Sequence, residues 1–237
     1  MPNFESESRS TTPAVTVNGF SDDNPQFTLY AHHTGPNGFK VAEVLSELSL
    51  TYCFIQLEFG SGKNGMKTPD YERINPNGRI PAIVDHGNND LIIWESGAII
   101  LYLVKKYDTP GYRLWAESVE DQSKIETWAM WFLHYHSEIV PSAQERYIAE
   151  TRRVLAIVEK QLLQPGSNGW LVLGRITVAD IAFLHWYLHT HRVGIYIEDE
   201  YPTVWGWIEK MKKRPGVQKG MKGARFPVRE AGEGGTS

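Results

Sequence analysis

The sequence predicts a mixed α/β half followed by an all-helical half. Two observations carry this. Between Phe27 and Tyr107 short strand-like runs alternate with helical stripes, and from Ser118 onward the strand pattern stops while amphipathic stripes continue. A third observation sharpens the second half. Ser118-Val-Glu-Asp121 and Thr177-Val-Ala-Asp180 are both capping boxes, a Ser or Thr followed three residues later by an acidic group.

The elements follow in order. Phe27–Ala31 (FTLYA) reads as a strand and HHTGPNG as the loop after it. Residues 38–49 place Val41, Val44, Leu45 and Leu48 at i, i+3, i+4 and i+7, one apolar helical stripe. A second strand covers 52–57, with Cys53 inside it, and Thr68-Pro69 supplies an N-cap and a first-turn proline for a short helix. Residues 80–86 and 91–94, joined by Gly87-Asn88-Asn89-Asp90, read as a hairpin. Glu95-Ser96 then opens a helix whose inward positions are Ile99, Ile100, Leu103, Val104 and Tyr107. The order is β-α-β-α-β-β-α.

In the second half, Ile125, Trp128, Ala129 and Phe132 form one helical face and Pro141 starts a long helix. Ile181, Leu184 and Leu188 follow the second capping box, and Tyr201-Pro202 introduces what reads as the last helix. The expected division is a lead-in over 1–25, an α/β domain over 26–107, a linker over 108–117, a helical domain over 118–219 and a loose tail over 220–237. A cleft is expected between the two domains.

Composition narrows the function classes. Twenty-four Lys and Arg against 28 Asp and Glu give a net charge of −4, too weak for nucleic acid or an anionic membrane to be the expected partner. One cysteine excludes a disulfide framework or a cysteine-rich metal site. Its place inside a strand, away from any helix start, argues for a buried filler rather than a reactive thiol. His185 and His189 have a metal-compatible spacing, but Trp186 stands where a metalloprotease needs Glu, so the pair reads as surface or cleft polarity and no metal is expected. The longest apolar run, 97–104, is far short of the roughly 20 residues of a membrane span. The first residues are polar and acidic, so no signal peptide is expected and the predicted location is the cytoplasm.

Four segments together carry a resemblance: TGPNGFKVAEVL (34–45), INPNGRIPAIVDH (74–86), LIIWESGAIILYL (91–103) and TVADIAF (177–183). They resemble the cytosolic glutathione transferases, a thioredoxin-like domain followed by an all-helical domain, and look most like the fungal nitrogen-regulator-like (Ure2p-like) class. The likeness spans roughly residues 27–215.

The resemblance implies a site. It makes Ile80-Pro81 a cis bond that turns the Ile80 backbone toward the cysteinyl part of glutathione, where an extended peptide pairs like an added strand. A strand-opening proline without a ligand is the alternative. Glu95 and Ser96, at a helix start, match the ammonium and carboxylate of a γ-glutamyl group. The same two residues also suit plain capping. Lys67, with Lys63, and Arg79 are candidates for the glycyl carboxylate, or else solvated loop charges. No Tyr, Ser or Cys stands before the first helix, so the family pattern puts thiol activation on Asn37, with Thr34 the loop's only hydroxyl. Asn37-Gly38 is also ordinary turn chemistry. Trp131, His134 and Tyr135 fall off the helical core stripe and are candidates for an apolar co-substrate pocket.

The expected function is a glutathione-dependent transferase acting on an apolar electrophile. Conjugation stays open beside reversible thiol addition that isomerises a conjugated alkene, as in fungal secondary metabolism. The partners are glutathione, a small electrophile and a second copy of the chain as homodimer. The alternative is a non-catalytic regulatory or protein-interaction module on the same fold.

Overall fold

The computed structural model describes residues 25–132 and 141–223, and within them the backbone alone at 131–132, 141–147, 192 and 223. The first half builds a four-stranded sheet from β1 (Phe27–Ala31), β2 (Tyr52–Gln56), β3 (Ala82–Asp85) and β4 (Leu91–Trp94) in the order β2-β1-β3-β4. β1 runs parallel to β2, while β3 is antiparallel to both β1 and β4. The parallel pair needs a crossover, which α1 (Pro36–Glu47) supplies; the antiparallel β3–β4 pair needs only a short turn. α2 (Pro69–Glu72) starts as its sequence dictates, with the Thr68 side chain accepting from the Tyr71 N–H and Pro69 in the first turn. α3 (Ser96–Tyr107) closes the domain. This is the thioredoxin-like arrangement that the order of strands and helices implies.

The second half is helical: α4 (Val119–Phe132), α5 (Pro141–Leu162), α6 (Val178–Tyr187), the one-turn α7 (Ile197–Glu200), α8 (Pro202–Lys212) and α9 (Pro215–Gly223). The Thr177–Asp180 capping box forms on both arms, and Asp180 does more than cap. Its buried carboxylate also accepts from the Leu171 N–H at 3.1 Å and from the Trp207 indole N–H at 3.0 Å. One side chain therefore ties the α6 start to the preceding loop and to α8. The stretch read as a linker is tied down as well. Buried Asp108 accepts from the N–H groups of Arg113, Leu114 and Trp115 at 3.0, 2.7 and 2.8 Å.

Three expectations change. α1 begins at Pro36, whose fixed φ suits a first-turn position, so Asn37 sits inside the first turn rather than before it. α6 ends at Tyr187, which leaves His189 beyond the helix, and His185 is buried rather than at the surface. The helix at 202 is not the last, and residue 220 does not begin a tail. α9 lies against α1, and a Cβ at Gly220 would stand 2.6 Å from the Glu43 Cα. The glycine that looks like the start of a tail is what allows two helix backbones to touch.

That contact makes a discriminating test. At Gly220 the obstruction is backbone, whereas at Gly216 it is the Glu47 side chain. Gly220→Ala is expected to lower unfolding free energy by about 1–3 kcal/mol from overpacking. Gly216→Ala should cost less, because its obstruction is a side chain: Glu47 must shift against the two bonds it accepts from Arg214, at 3.0 and 2.6 Å, while alanine favours a helix by roughly 1 kcal/mol. Denaturant titration of both variants reads the difference; equal losses would deny the backbone contact.

Candidate functional site

Two helix starts converge. α1 and α3 both begin without a side-chain cap, at Gly35 and Glu95, so their first N–H groups look to other partners. Ser96, the first residue of α3, is buried, and its Oγ donates to Asn37 Oδ1 in the first turn of α1 at 3.4 Å. The two residues lie 59 positions apart in the chain. With its oxygen end facing Ser96, the Asn37 amide turns its NH2 end away from it. Glu95 is exposed and holds φ +70, a left-handed value uncommon outside glycine. Such backbone strain concentrates at sites where a side chain has to be aimed.

Beneath these starts lies a buried cation. Lys40, one turn into α1, is fully buried; burial lowers its pKa to about 8, against the pull of Glu95 and then Glu43. One turn further, Glu43 is bonded to His185 Nε2 across the domain junction, and the Phe39 ring stacks on that imidazole at 4.5 Å. Burial raises the Glu43 carboxyl above the usual range, with His185 opposing.

The segment before β3 is held from behind. The Ile80-Pro81 bond is cis. The Arg79 carbonyl accepts from the Tyr71 hydroxyl at 2.7 Å and from the Asn75 amide at 2.6 Å. Lys67 Nζ donates to the Asn77 carbonyl at 2.8 Å and lies over Gly78, whose φ is +55. Lys67, Arg79 and Lys63 are all exposed, and only Lys67 is given a defined place by this bond. Cys53 is buried and burial pushes its thiol pKa up, as a filler requires.

The structure thus brings Asn37, Ser96 and Glu95 together and fixes Ile80-Pro81 and Lys67 on one neighbouring segment. Trp131 lies in α4 by its backbone alone, and its side chain, with His134 and Tyr135, falls outside the described residues. Among the described residues no group of three or more His, Cys, Asp or Glu is arranged to hold a metal. No described helix is long and apolar enough to cross a membrane. Sequence reading missed the Glu43–His185 bond. His185 follows the second capping box by five residues, but nothing local marks a partner 142 positions away.

The family model described as "Glutathione S-transferase, N-terminal domain" matches residues 25–105, and "Glutathione S-transferase, C-terminal domain" matches 123–215. "Transcriptional regulator URE2" of Saccharomyces cerevisiae is 38% identical over an alignment covering 83% of this chain and 68% of that protein. Among solved structures, "Ure2p in Complex with Glutathione" superposes with a TM-score of 0.73 at 40% identity, covering 84% of this chain and 95% of the other. A glutathione transferase named URE2P8, from Phanerochaete chrysosporium and solved with oxidized glutathione, gives 0.73 at 36% identity, covering 86% and 97%. The match of both domain families, at this identity and over most of the chain, makes it a Ure2p-like member of the glutathione S-transferase superfamily.

Proposed function

We propose that this chain binds glutathione across the α1 and α3 starts and presents its thiolate to an apolar electrophile. The observation that supports this most directly is the Ser96–Asn37 bond, which sets a carboxylate-binding helix start beside an amide donor. In this reading the γ-glutamyl carboxylate takes the α3 N–H groups and the Ser96 hydroxyl, and Glu95 takes the ammonium. The Ile80 backbone pairs with the cysteinyl unit, and Lys67 and Arg79 serve the glycyl carboxylate. The Asn37 NH2 end donates to the sulfur as charge develops there. Related chains solved with glutathione and with oxidized glutathione support the ligand. Trp131, His134 and Tyr135 remain the proposed walls of the electrophile pocket.

Conjugation and thiol-dependent isomerisation share every step through the thiolate. They part afterwards: one consumes glutathione, the other returns it. A purely regulatory role is the second reading, favoured by the relative that carries the name of a transcriptional regulator. It keeps the ligand and drops the chemistry.

Ser96→Ala removes one bond to a charged group, worth roughly 1.5–3 kcal/mol, so calorimetry should show glutathione affinity falling about 10- to 150-fold with little change in melting temperature. Unchanged affinity would move the ligand elsewhere. Asn37→Ala should lower turnover with 1-chloro-2,4-dinitrobenzene roughly 10–1000-fold, the loss of one anion donor, while affinity falls much less. Full activity in that variant would remove Asn37 from the chemistry, and absence of turnover in the unaltered protein would favour the regulatory reading.

Homodimerisation is proposed through the β4 edge. Leu91, Ile92 and Trp94 on that edge strand are 39%, 43% and 41% exposed, more apolar surface in one strip than a monomer usually shows. Sedimentation at micromolar concentration should give a species near twice 26.9 kDa, reduced to a monomer by Ile92→Lys. A single 26.9 kDa species in the unaltered protein would end this proposal.

A further inference from the structure

His32 and Glu58 play no part in the function proposed above, yet they are wired to its edge. The Thr34 main-chain N–H donates to His32 Nδ1 at 3.1 Å. A main-chain N–H only donates, so Nδ1 is the nitrogen without a proton. Thr34 Oγ1 stands 2.8 Å from the same Nδ1, and the Thr34 hydroxyl must therefore be the donor. A neutral imidazole then carries its proton on Nε2, which lies 3.5 Å from Glu58 Oε2. Three groups stand in line: a carboxylate, an imidazole and a hydroxyl.

The environment keeps that line in the right protonation state. His32 is 7% exposed and its ring packs against the rings of His33, at 4.2 Å, and Phe59, at 4.5 Å. Burial lowers the His32 pKa, and the nearby His33 lowers it further, with Glu58 opposing. His33 and Glu58 are the titratable groups facing this imidazole, so it is neutral at pH 7 and accepts at Nδ1. Thr34, in contrast, is exposed at the loop that leads into α1, three residues before Asn37.

The polarity is the opposite of a hydroxyl that donates to a sulfur anion. The Thr34 proton is already committed inward, so its oxygen presents lone pairs outward. We propose that Thr34, His32 and Glu58 form a relay that takes the proton of the glutathione thiol, an inference that rests on the glutathione site proposed above. The thiol S–H bond breaks as its proton passes to Thr34 Oγ1, and the Thr34 O–H bond breaks as its own proton passes to His32 Nδ1. The products are a thiolate and an imidazolium whose Nε2–H points at the Glu58 carboxylate. Charge is conserved and nothing is oxidised. An imidazolium beside a thiolate is an arrangement that lowers thiol pKa. Asn37 stabilises the anion, and the relay removes the proton. Thr34 touches the thiol, and His32 is a positioning residue acting through it.

Proton counting tests the relay. Glutathione is titrated into the full chain at pH 7, with thiolate followed by ultraviolet absorbance and proton release by calorimetry in buffers of different ionisation enthalpy. S-hexylglutathione, which has no thiol, supplies the background. The unaltered protein should form more thiolate than it releases protons, because the new negative charge favours the imidazolium and His32 then keeps the proton. His32→Gln should form about ten-fold less thiolate at pH 7, equivalent to one pKa unit, and release one proton for each thiolate formed. Thr34→Val, which alters an exposed position, should behave the same way, and Thr34→Ser should restore the original balance. Equal thiolate and equal proton release in all four proteins would overturn the relay. If S-hexylglutathione binds the unaltered protein but glutathione yields one released proton per thiolate, the relay fails and the ligand site stands. If neither ligand binds, the glutathione reading itself fails and takes the relay with it.

Discussion

Helix α1 has no solvent face from Gly38 to Ser46, and the other packing follows from that. It is covered by the sheet, by α3, by α6 of the helical half and by α9. A helix enclosed all round is expected to be apolar, yet this one carries Lys40, Glu43 and Ser46 into the interior. Those groups are tolerable only where partners are supplied. Glu43 meets His185 of α6, so the two domains are joined by a polar bond in a dry place. Breaking one partner of such a pair typically costs several kcal/mol, which makes the junction specific in register. The burial of Lys40 has a sign of its own. With its pKa at about 8 when folded and 10.5 ordinarily, its cost is fully felt below pH 8 and relieved as pH rises toward 10.5.

This enclosure is what positions the site. Asn37 stands at the start of a helix that cannot tilt without disturbing α6 and α9, and its amide is held against Ser96 of α3. The helical half is braced in a similar way. Asp180 gathers donors from Thr177, Leu171 and Trp207. Burial drives its carboxyl up to about 6 against those bonds. Asp108 fastens the connection between halves by three main-chain N–H groups. A junction fixed at both ends suits a ligand that lies along several elements at once, since little has to be ordered on binding.

The sequence by itself determined the order of elements in the α/β half and the capped start of α6. Val41, Val44, Leu45 and Leu48 form a helical stripe, Thr68-Pro69 starts a short helix, and Thr177–Asp180 closes a capping box. Each of these is a local pattern with a local cause, and each stands in the structure. The pairing of Ser96 with Asn37 was legible only as a resemblance, since 59 residues separate them and neither predicts the other. What tertiary structure alone decided is where the polar face of α1 goes. Lys40 and Glu43 lie off the apolar stripe of α1 yet are buried, Glu43 against His185 of α6 and Gly220 of α9. Gly220 reads as the start of a tail until backbone contact with α1 requires it. His32 reads as a loop residue until Thr34 and Glu58 close on its two nitrogens. The physical reason is the same in each case. Periodicity and capping act within about one helical turn, whereas burial of a charge or close approach of two backbones depends on which distant surface arrives.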